Sequence, residues 1–196
     1  MKKSMRISGG IAKSISLKCP PGKTVRPATD FTRAAVFSSL GNLIQGSSFL
    51  DLFSGTGAYG LEALSRGATR GVFVEKNNQA IACIKENLSS TAKSLQLSEL
   101  QDFSIRHQDA LSFTSSEKFD LVFVDPPYEL IRSDFLSIFK IAAASLKNIP
   151  SARLIFEMPA DFLPPSSPLL LEELKKLGKS GINQPTVRLY GWREVS

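Results

Sequence analysis

Asp51-Leu52-Phe53-Ser54-Gly55-Thr56-Gly57-Ala58-Tyr59-Gly60 decides the fold. The run before it, Ser48–Leu52, reads as a short apolar strand. Ala58–Arg66, with Leu61 and Leu64 turned inward, reads as a helix. Between them Gly55 and Gly57 let the backbone turn tightly and approach a ligand with no Cβ in the way. A Gly-x-Gly-x-x-Gly pattern that follows a strand and opens a helix places that ligand at the carboxyl end of the strand, where open α/β sheets bind theirs.

The same alternation continues along the chain. Gly71–Glu75 reads as a second strand, and Asn77 caps a helix through about Leu88, with Ile81, Ile84 and Leu88 at helical spacing. Asp102–His107 is a third strand, Phe119–Val124 a fourth, Arg132–Leu146 a helix and Arg153–Glu157 a fifth strand. Strands alternating with helices at this spacing form a parallel sheet covered on both faces. Upstream, Met5–Pro20 reads as a small hairpin, and Thr29 or Asp30 caps a helix through about Leu40 whose apolar face is Phe31, Ala34, Ala35 and Phe37. Downstream, Leu169–Gly178 looks helical by propensity and by its acidic-then-basic order, while Thr186–Trp192 looks like a strand.

A chain of 196 residues with 42% apolar and 21% charged residues is one ordinary globular domain, large enough to need neither disulfide nor metal. Cys19 and Cys83 make no disulfide framework and read as free thiols of a reducing cytoplasm; with His107 the single histidine, no metal site is expected. No signal peptide or membrane span is visible, so a cytoplasmic protein is expected; a monomer is expected too, although oligomeric state is not read from the sequence. Charge is unevenly placed. Residues 1–40 carry eight basic side chains against Asp30 alone, +7 in a chain whose formal total is +6. A basic extension on a near-neutral body suggests a polyanion contact, and equally a solvated lysine-rich terminus.

Glu75 closes the strand after the glycine turn, where its carboxylate suits the hydroxyls of a ribose. Turn and acid together indicate a nucleoside cofactor, either NAD or S-adenosylmethionine. Asp51 leans toward the second: a carboxylate before the turn suits a sulfonium and an ammonium and opposes a pyrophosphate. Asp125-Pro126-Pro127-Tyr128, directly after the apolar fourth strand, is the most specific signal. Pro127 holds Pro126 extended, and neither proline has an N–H. The corner therefore presents acceptors, the Asp125 carboxylate and the Pro126 carbonyl, whose natural partner is an NH₂ group. Tyr128 adds a face on which a planar base can stack. Asp109, after the third strand, could meet an adenine amino group.

These motifs, in this order, resemble the RsmD family of bacterial ribosomal RNA guanine-N2 methyltransferases. Met5-Arg6-Ile7-Ser8-Gly9-Gly10 is similar to that family's opening, and Arg26-Pro27-Ala28-Thr29-Asp30 with Arg33 and Phe37 to its next segment. Asp51–Gly60, Leu61–Ala68, Glu75, Asn87-Leu88, Asp125–Tyr128 and Arg188-Leu189-Tyr190 follow; Ala28 and Ala34 depart from the pattern. The resemblance implies a class I S-adenosylmethionine-dependent methyltransferase fold. That is a Rossmann-like seven-stranded α/β sheet, its last strand antiparallel, with a short N-terminal hairpin and helix (residues 1–40) packed on residues 41–196. It turns Leu169–Lys179 into a sixth strand paired antiparallel with Thr186–Arg193, against its helical look. It implies methyl transfer from S-adenosylmethionine to a specific guanine of 16S rRNA, within a 30S subunit or assembly intermediate. Asp125, Pro126, Pro127 and Tyr128 are then the catalytic candidates. The cofactor candidates are Asp51, Phe53, Ser54, Gly55, Gly57, Gly60, Glu75, Lys76, Asp109 and Ala110. Arg6, Lys13, Lys23, Arg26, Thr29 and Arg33 are the RNA candidates. The competing readings are a DNA adenine-N6 methyltransferase, which lacks room here for a recognition domain, and a protein glutamine-N5 methyltransferase, which typically has Asn at the Asp125 position. An NAD oxidoreductase would leave Asp125–Tyr128 without a role.

Overall fold

The computed structural model describes residues 5–21, 27–165, 170–178 and 180–193, without the side chains of residues 27–29. In chain order it contains α1 (Pro27–Leu40), β1 (Ser48–Leu52), α2 (Ala58–Ser65), β2 (Arg70–Glu75), α3 (Asn78–Ser94), β3 (Phe103–His107), β4 (Leu121–Val124), α4 (Tyr128–Ser145), β5 (Arg153–Pro159), β6 (Leu171–Gly178) and β7 (Pro185–Trp192). The seven strands form one sheet in the order β3-β2-β1-β4-β5-β7-β6. β1 to β5 run parallel, and β7 is antiparallel to both β5 and β6.

Strand alternation divides the core in two. Leu50, Leu52, Val72, Val74, Val122, Val124, Leu154 and Phe156 face the side covered by α4, through Ile131, Phe135, Ile138 and Phe139. Their neighbours Phe49, Phe73, Leu121, Phe123 and Ile155 face α1, α2 and α3. Because both faces are covered, β4 is buried at every position, which explains its unbroken apolar run.

The chain order reverses direction between β1 and β4. There Leu52 pairs with Val124, so the glycine turn and the Asp-Pro-Pro-Tyr corner leave the sheet side by side. Asn77 caps α3 as its sequence predicts, its side chain accepting from the N–H groups of Gln79 and Ala80 at 2.9 and 3.0 Å.

Several boundaries differ from the sequence expectation. α1 begins at Pro27, a residue preorganised for a first turn, so Thr29 and Asp30 lie inside the helix and do not cap it. Its inward face is Arg33, Val36, Phe37 and Leu40, whereas Phe31 is 77% exposed. α3 runs six residues past Leu88. α4 begins at Tyr128, four residues before the expected start, because the fixed extended conformation of Pro127 (φ −55°, ψ 141°) ends the corner abruptly. The region around residue 134 carries the disturbance, with Asp134 at φ −131° inside the helix. Leu171–Gly178 is a strand, as the resemblance implies. Pairing with β7 overrides its helical propensity. Its exposed glutamates and lysines suit an unpaired sheet edge.

Residues 5–21 dock on α2. The Arg6–Ser16 antiparallel bridge closes the expected hairpin, and Ile7, Ala12 and Leu17 join the core beneath α1 and α2. Ser65 receives the segment: its carbonyl accepts from Ile11 N–H at 2.8 Å and its hydroxyl from Ala12 N–H at 2.9 Å. Glu62, fully buried in the same helix, accepts from Ser8 N–H (2.7 Å), Ser8 Oγ (2.8 Å), Arg66 Nε (2.9 Å) and Arg33 Nε (3.3 Å). Truncating one member of such a buried network leaves an uncompensated charge. Glu62→Ala is expected to destabilise the protein by about 3–5 kcal/mol, measured as a lowered urea midpoint. A loss under about 1 kcal/mol would mean that the carboxylate does not hold the extension in place.

Candidate functional site

The reversal between β1 and β4 opens a cavity of about 760 Å³, within the usual range for small-molecule sites. One wall is the glycine turn with Asp51, Phe53, Ser54, Gly55 and Glu75; the facing wall is Asp125, Pro126, Pro127 and Tyr128. The two motifs read separately in the sequence therefore share one cleft.

The turn is built by left-handed backbone at Phe53 (φ 62°), Gly55 (φ 57°) and Gly57 (φ 79°). It is closed by Ser54 Oγ donating to Asp51 O at 2.6 Å and Gly57 N–H donating to Ser54 O at 2.7 Å. A Cβ on Gly55 would meet only Phe53 O at 3.9 Å, so this residue keeps an open backbone surface beside the cavity. Gly57 and Gly60, grouped in the sequence with the cofactor contacts, lie off the cavity lining. Gly60 faces the core instead: a Cβ there would come within 2.4 Å of the Phe73 ring and 2.5 Å of the Phe49 ring. Its glycine serves close packing of helix on sheet.

Two carboxylates occupy the turn side. Asp51, 2% exposed, accepts from Gly60 N–H at 3.0 Å. Burial, reinforced by the charge of Glu75, pushes its carboxyl up to about 7 despite that bond. Glu75 accepts from Gly55 N–H with Oε2 (2.8 Å) and from Lys76 and Asn77 N–H with Oε1 (2.9 and 2.8 Å). Three fixed donors orient the carboxylate, and Oε2, with one of them, keeps acceptor capacity for hydroxyl groups. Lys76 and Asp109 also line the cavity, but the Lys76 ammonium donates to Asp109 at 2.9 Å and holds that carboxyl below its usual range. The other Asp109 oxygen caps a single turn at Ala110–Ser112 through Leu111 N–H at 3.0 Å, which leaves Ala110 on the lining.

On the facing wall Asp125 is exposed, Pro126 buried and Tyr128 half-buried. Tyr59 and Glu157 complete the floor, and the sequence reading assigned neither a role. The Tyr59 hydroxyl donates to Glu157 Oε2 at 2.8 Å, and its ring stacks on Phe123 at 5.3 Å. Burial first, then the charges of Glu157 and Asp125, raise that hydroxyl well above its usual range. Glu157 was legible by the signal that picks out Glu75, an acid closing an apolar strand of a parallel sheet. Met5, Cys19 and Pro20 of the N-terminal segment also line the cavity.

The RNA candidates divide. Arg6 and Lys13 are exposed. Arg33 is not a free phosphate ligand: it is 2% exposed and spends its guanidinium on Glu62, on Asp30 at 3.0 Å and on the Arg6 carbonyl. Lys23 and Arg26 lie outside the described residues, as does the side chain of Thr29. Among the described residues no helix is long and apolar enough to cross a membrane, and no group of acids, histidines and cysteines could hold a metal.

Residues 5–187 match the family described as conserved hypothetical protein 95. Ribosomal RNA small subunit methyltransferase D of Escherichia coli (strain K12) is 32% identical over 126 residues, 63% of this chain and 60% of that protein. YlbH of Bacillus subtilis (strain 168), assigned as an rRNA methyltransferase, is 37% identical over 128 residues, 64% of this chain and 67% of YlbH. The solved Escherichia coli structure of yhhF, assigned as a methyltransferase, matches with a TM-score of 0.75 and 27% identity over 97% of this chain and 99% of that one. With the sheet order and the paired motifs in agreement, the chain belongs to the conserved hypothetical protein 95 family, the RsmD family, and has its class I methyltransferase fold.

Proposed function

We propose that this protein transfers a methyl group from S-adenosylmethionine to the exocyclic N2 of a specific guanine in 16S rRNA, presented in a small subunit or an assembly intermediate. The observation that carries the reading is the single cavity walled by the glycine turn on one side and the two-proline corner on the other.

S-adenosylmethionine, when bound, supplies an electrophilic methyl carbon on a sulfonium. The residues present fit it. Glu75 presents oriented acceptors to ribose hydroxyls, Gly55 offers exposed backbone, and Asp51 offers a buried carboxyl that a cationic group beside it would drive to its ionised form. Phe53, Ser54, Lys76, Asp109 and Ala110 complete that wall. Across the cavity the Asp125 carboxylate and the Pro126 carbonyl accept the two hydrogens of the exocyclic amine. The amine's lone pair is delocalised into its ring; gripping both hydrogens favours a pyramidal nitrogen whose lone pair points across the cavity. Fixed near-attack placement removes much of the entropic barrier. Asp125 then accepts the proton the nitrogen loses. Tyr128 provides the stacking face for a base extruded from its helix, and Arg6 and Lys13 neutralise flanking phosphates.

The direct test offers methyl-labelled donor in parallel to free rRNA, small subunits, DNA and total protein, followed by identification of the labelled group. Label on guanine N2 of small-subunit rRNA is expected; label confined to DNA adenine or to protein glutamine would reject the substrate. Asp125→Ala should abolish transfer while donor affinity, read by calorimetry, changes less than about threefold, since one wall is altered and the other kept. Undiminished turnover would remove Asp125 from the mechanism.

Asp51 ties function to stability. Its folded pKa of about 7 lies above the unfolded value, near 3.9. The native state therefore holds a proton that the unfolded state gives up between about pH 4 and 7. The contribution is fully present below pH 4, is lost as pH rises through 7, and stays absent above. Asp51→Asn removes the titration, so the variant should match wild type near pH 4 and exceed it by about 2–4 kcal/mol at pH 8, while binding the donor more weakly. Parallel stability curves for the two proteins would contradict this account.

RNA binding should weaken steeply between low and physiological salt. Replacing Arg6 and Lys13 together by Ala should lessen the slope of log K against log salt by about 1–2. An unchanged slope would place the phosphate contacts elsewhere.

A further inference from the structure

Glu157 is a buried carboxylate in the cavity that the methyl-transfer chemistry above does not use. The β4–β5 register, Val124 opposite Phe156, puts Asp125, the residue after β4, next to Glu157, which lies within the longer β5, and both line the cavity. Alternation turns both away from the α4 side, because Val124 and Phe156 occupy that face. Adjacent strands lie about 4.8 Å apart, a separation that the Watson–Crick edge of a purine can bridge. The Tyr59 hydroxyl, donating at 2.8 Å, fixes the Glu157 carboxylate. Arg33 and Asp125 are the other charged groups lining this end of the cavity.

The chemistry of the bases gives the arrangement a meaning. Guanine N2 is flanked by a ring N–H, at N1. Adenine N6 and cytosine N4 are each flanked by a bare ring nitrogen, an acceptor. A carboxylate beside the amine grip therefore attracts guanine and repels the other two, whose lone pair would face a negative charge across a desolvated contact.

We propose that Glu157, positioned by Tyr59, accepts the ring N1–H of the target base and so makes the cavity selective for guanine. The proposal rests on the methyl-transfer reading above and names the residue that sets its base specificity.

The test uses the full-length protein and an rRNA fragment carrying the guanine located by the labelling experiment, alongside the same fragment with 2-aminopurine at that position. The analogue keeps the 2-amino group but has a bare N1. Wild type should favour guanine in kcat/KM by roughly 10–100-fold, the discrimination typical of one well-placed base-edge contact. Glu157→Gln keeps an acceptor for Tyr59 and presents an NH₂ to N1. Guanine turnover should fall by a similar factor, and the preference should vanish or invert, with donor affinity unchanged by calorimetry. Equal loss on both bases, or a retained wild-type preference, overturns the assignment. If Glu157→Gln does not fold, Tyr59→Phe decides: a loosened carboxylate should narrow the preference several-fold, and an unchanged preference overturns the proposal. A wild-type protein inert on every rRNA guanine overturns the underlying reading first, before any variant is scored.

Discussion

The bond from Gly60 N–H to the Asp51 carboxylate is the contact on which the remainder of the site depends. A carboxylate at the end of a central strand is expensive to bury. This one meets a donor from the first turn of α2, where backbone N–H groups have no partner within the helix. The bond draws the helix down onto the sheet, close enough that only glycine fits between the helix and the rings of Phe49 and Phe73. With the helix start fixed, the chain from Leu52 to Ala58 must reverse within a few residues. It does so with three left-handed residues, one of them a phenylalanine. The open surface at Gly55 and the bond from Gly55 N–H to Glu75 follow from that path. The electrostatic cost remains visible in the raised carboxyl of Asp51, a strained feature of the kind that functional sites retain.

Charge is arranged in two layers. The chain is basic overall, yet Asp51, Glu75, Asp125 and Glu157 all line the cavity, while Lys76 there is tied to Asp109. A basic exterior attracts a polyanion, and an acidic interior refuses its phosphates. The lining suits groups that bring hydrogen-bond donors or positive charge, as the proposed sulfonium-bearing donor and base amine would. This division is the physical reason that the same fold, with carboxylates at its strand ends, suits a nucleoside that carries no pyrophosphate.

The sequence made most of the sheet legible because β1, β2, β4 and β5 are largely buried and read as apolar runs bounded by turns, whereas the edge strand β3 is partly exposed and its pattern weaker. Ser48–Leu52 is recovered at both ends, and Asn77 as a cap, since local chemistry alone determines them. β6 was not legible locally: Leu-Glu-Glu-Leu-Lys-Lys-Leu-Gly has helical propensity, and only pairing with β7, distant in the chain, makes it a strand. α4 began earlier than its periodicity indicates because the proline corner, read as loop, ends one residue before the helix. Within the site, residues inside or beside a motif were readable, whereas the pairings that topology makes between distant residues were not. Tyr59 sits inside the quoted motif, but its partner Glu157 is 98 residues away.

The basic extension shows why a count of charges overstates a phosphate-binding surface. Arg33 closes the buried network around Glu62, and Lys18 pairs with Glu86 at the surface. Arg6 lends its carbonyl to Arg33 while its own side chain stays exposed. The extension is also structural in a second way. Asn87 of α3 accepts from Lys18 N–H at 2.8 Å and donates to both Lys18 O and Thr56 O at 3.0 Å, stapling the segment to the glycine turn. Met5, Cys19 and Pro20 thereby become part of the cavity wall. The fold of the extension and the shape of the cavity wall beside the turn thus meet at one buried asparagine.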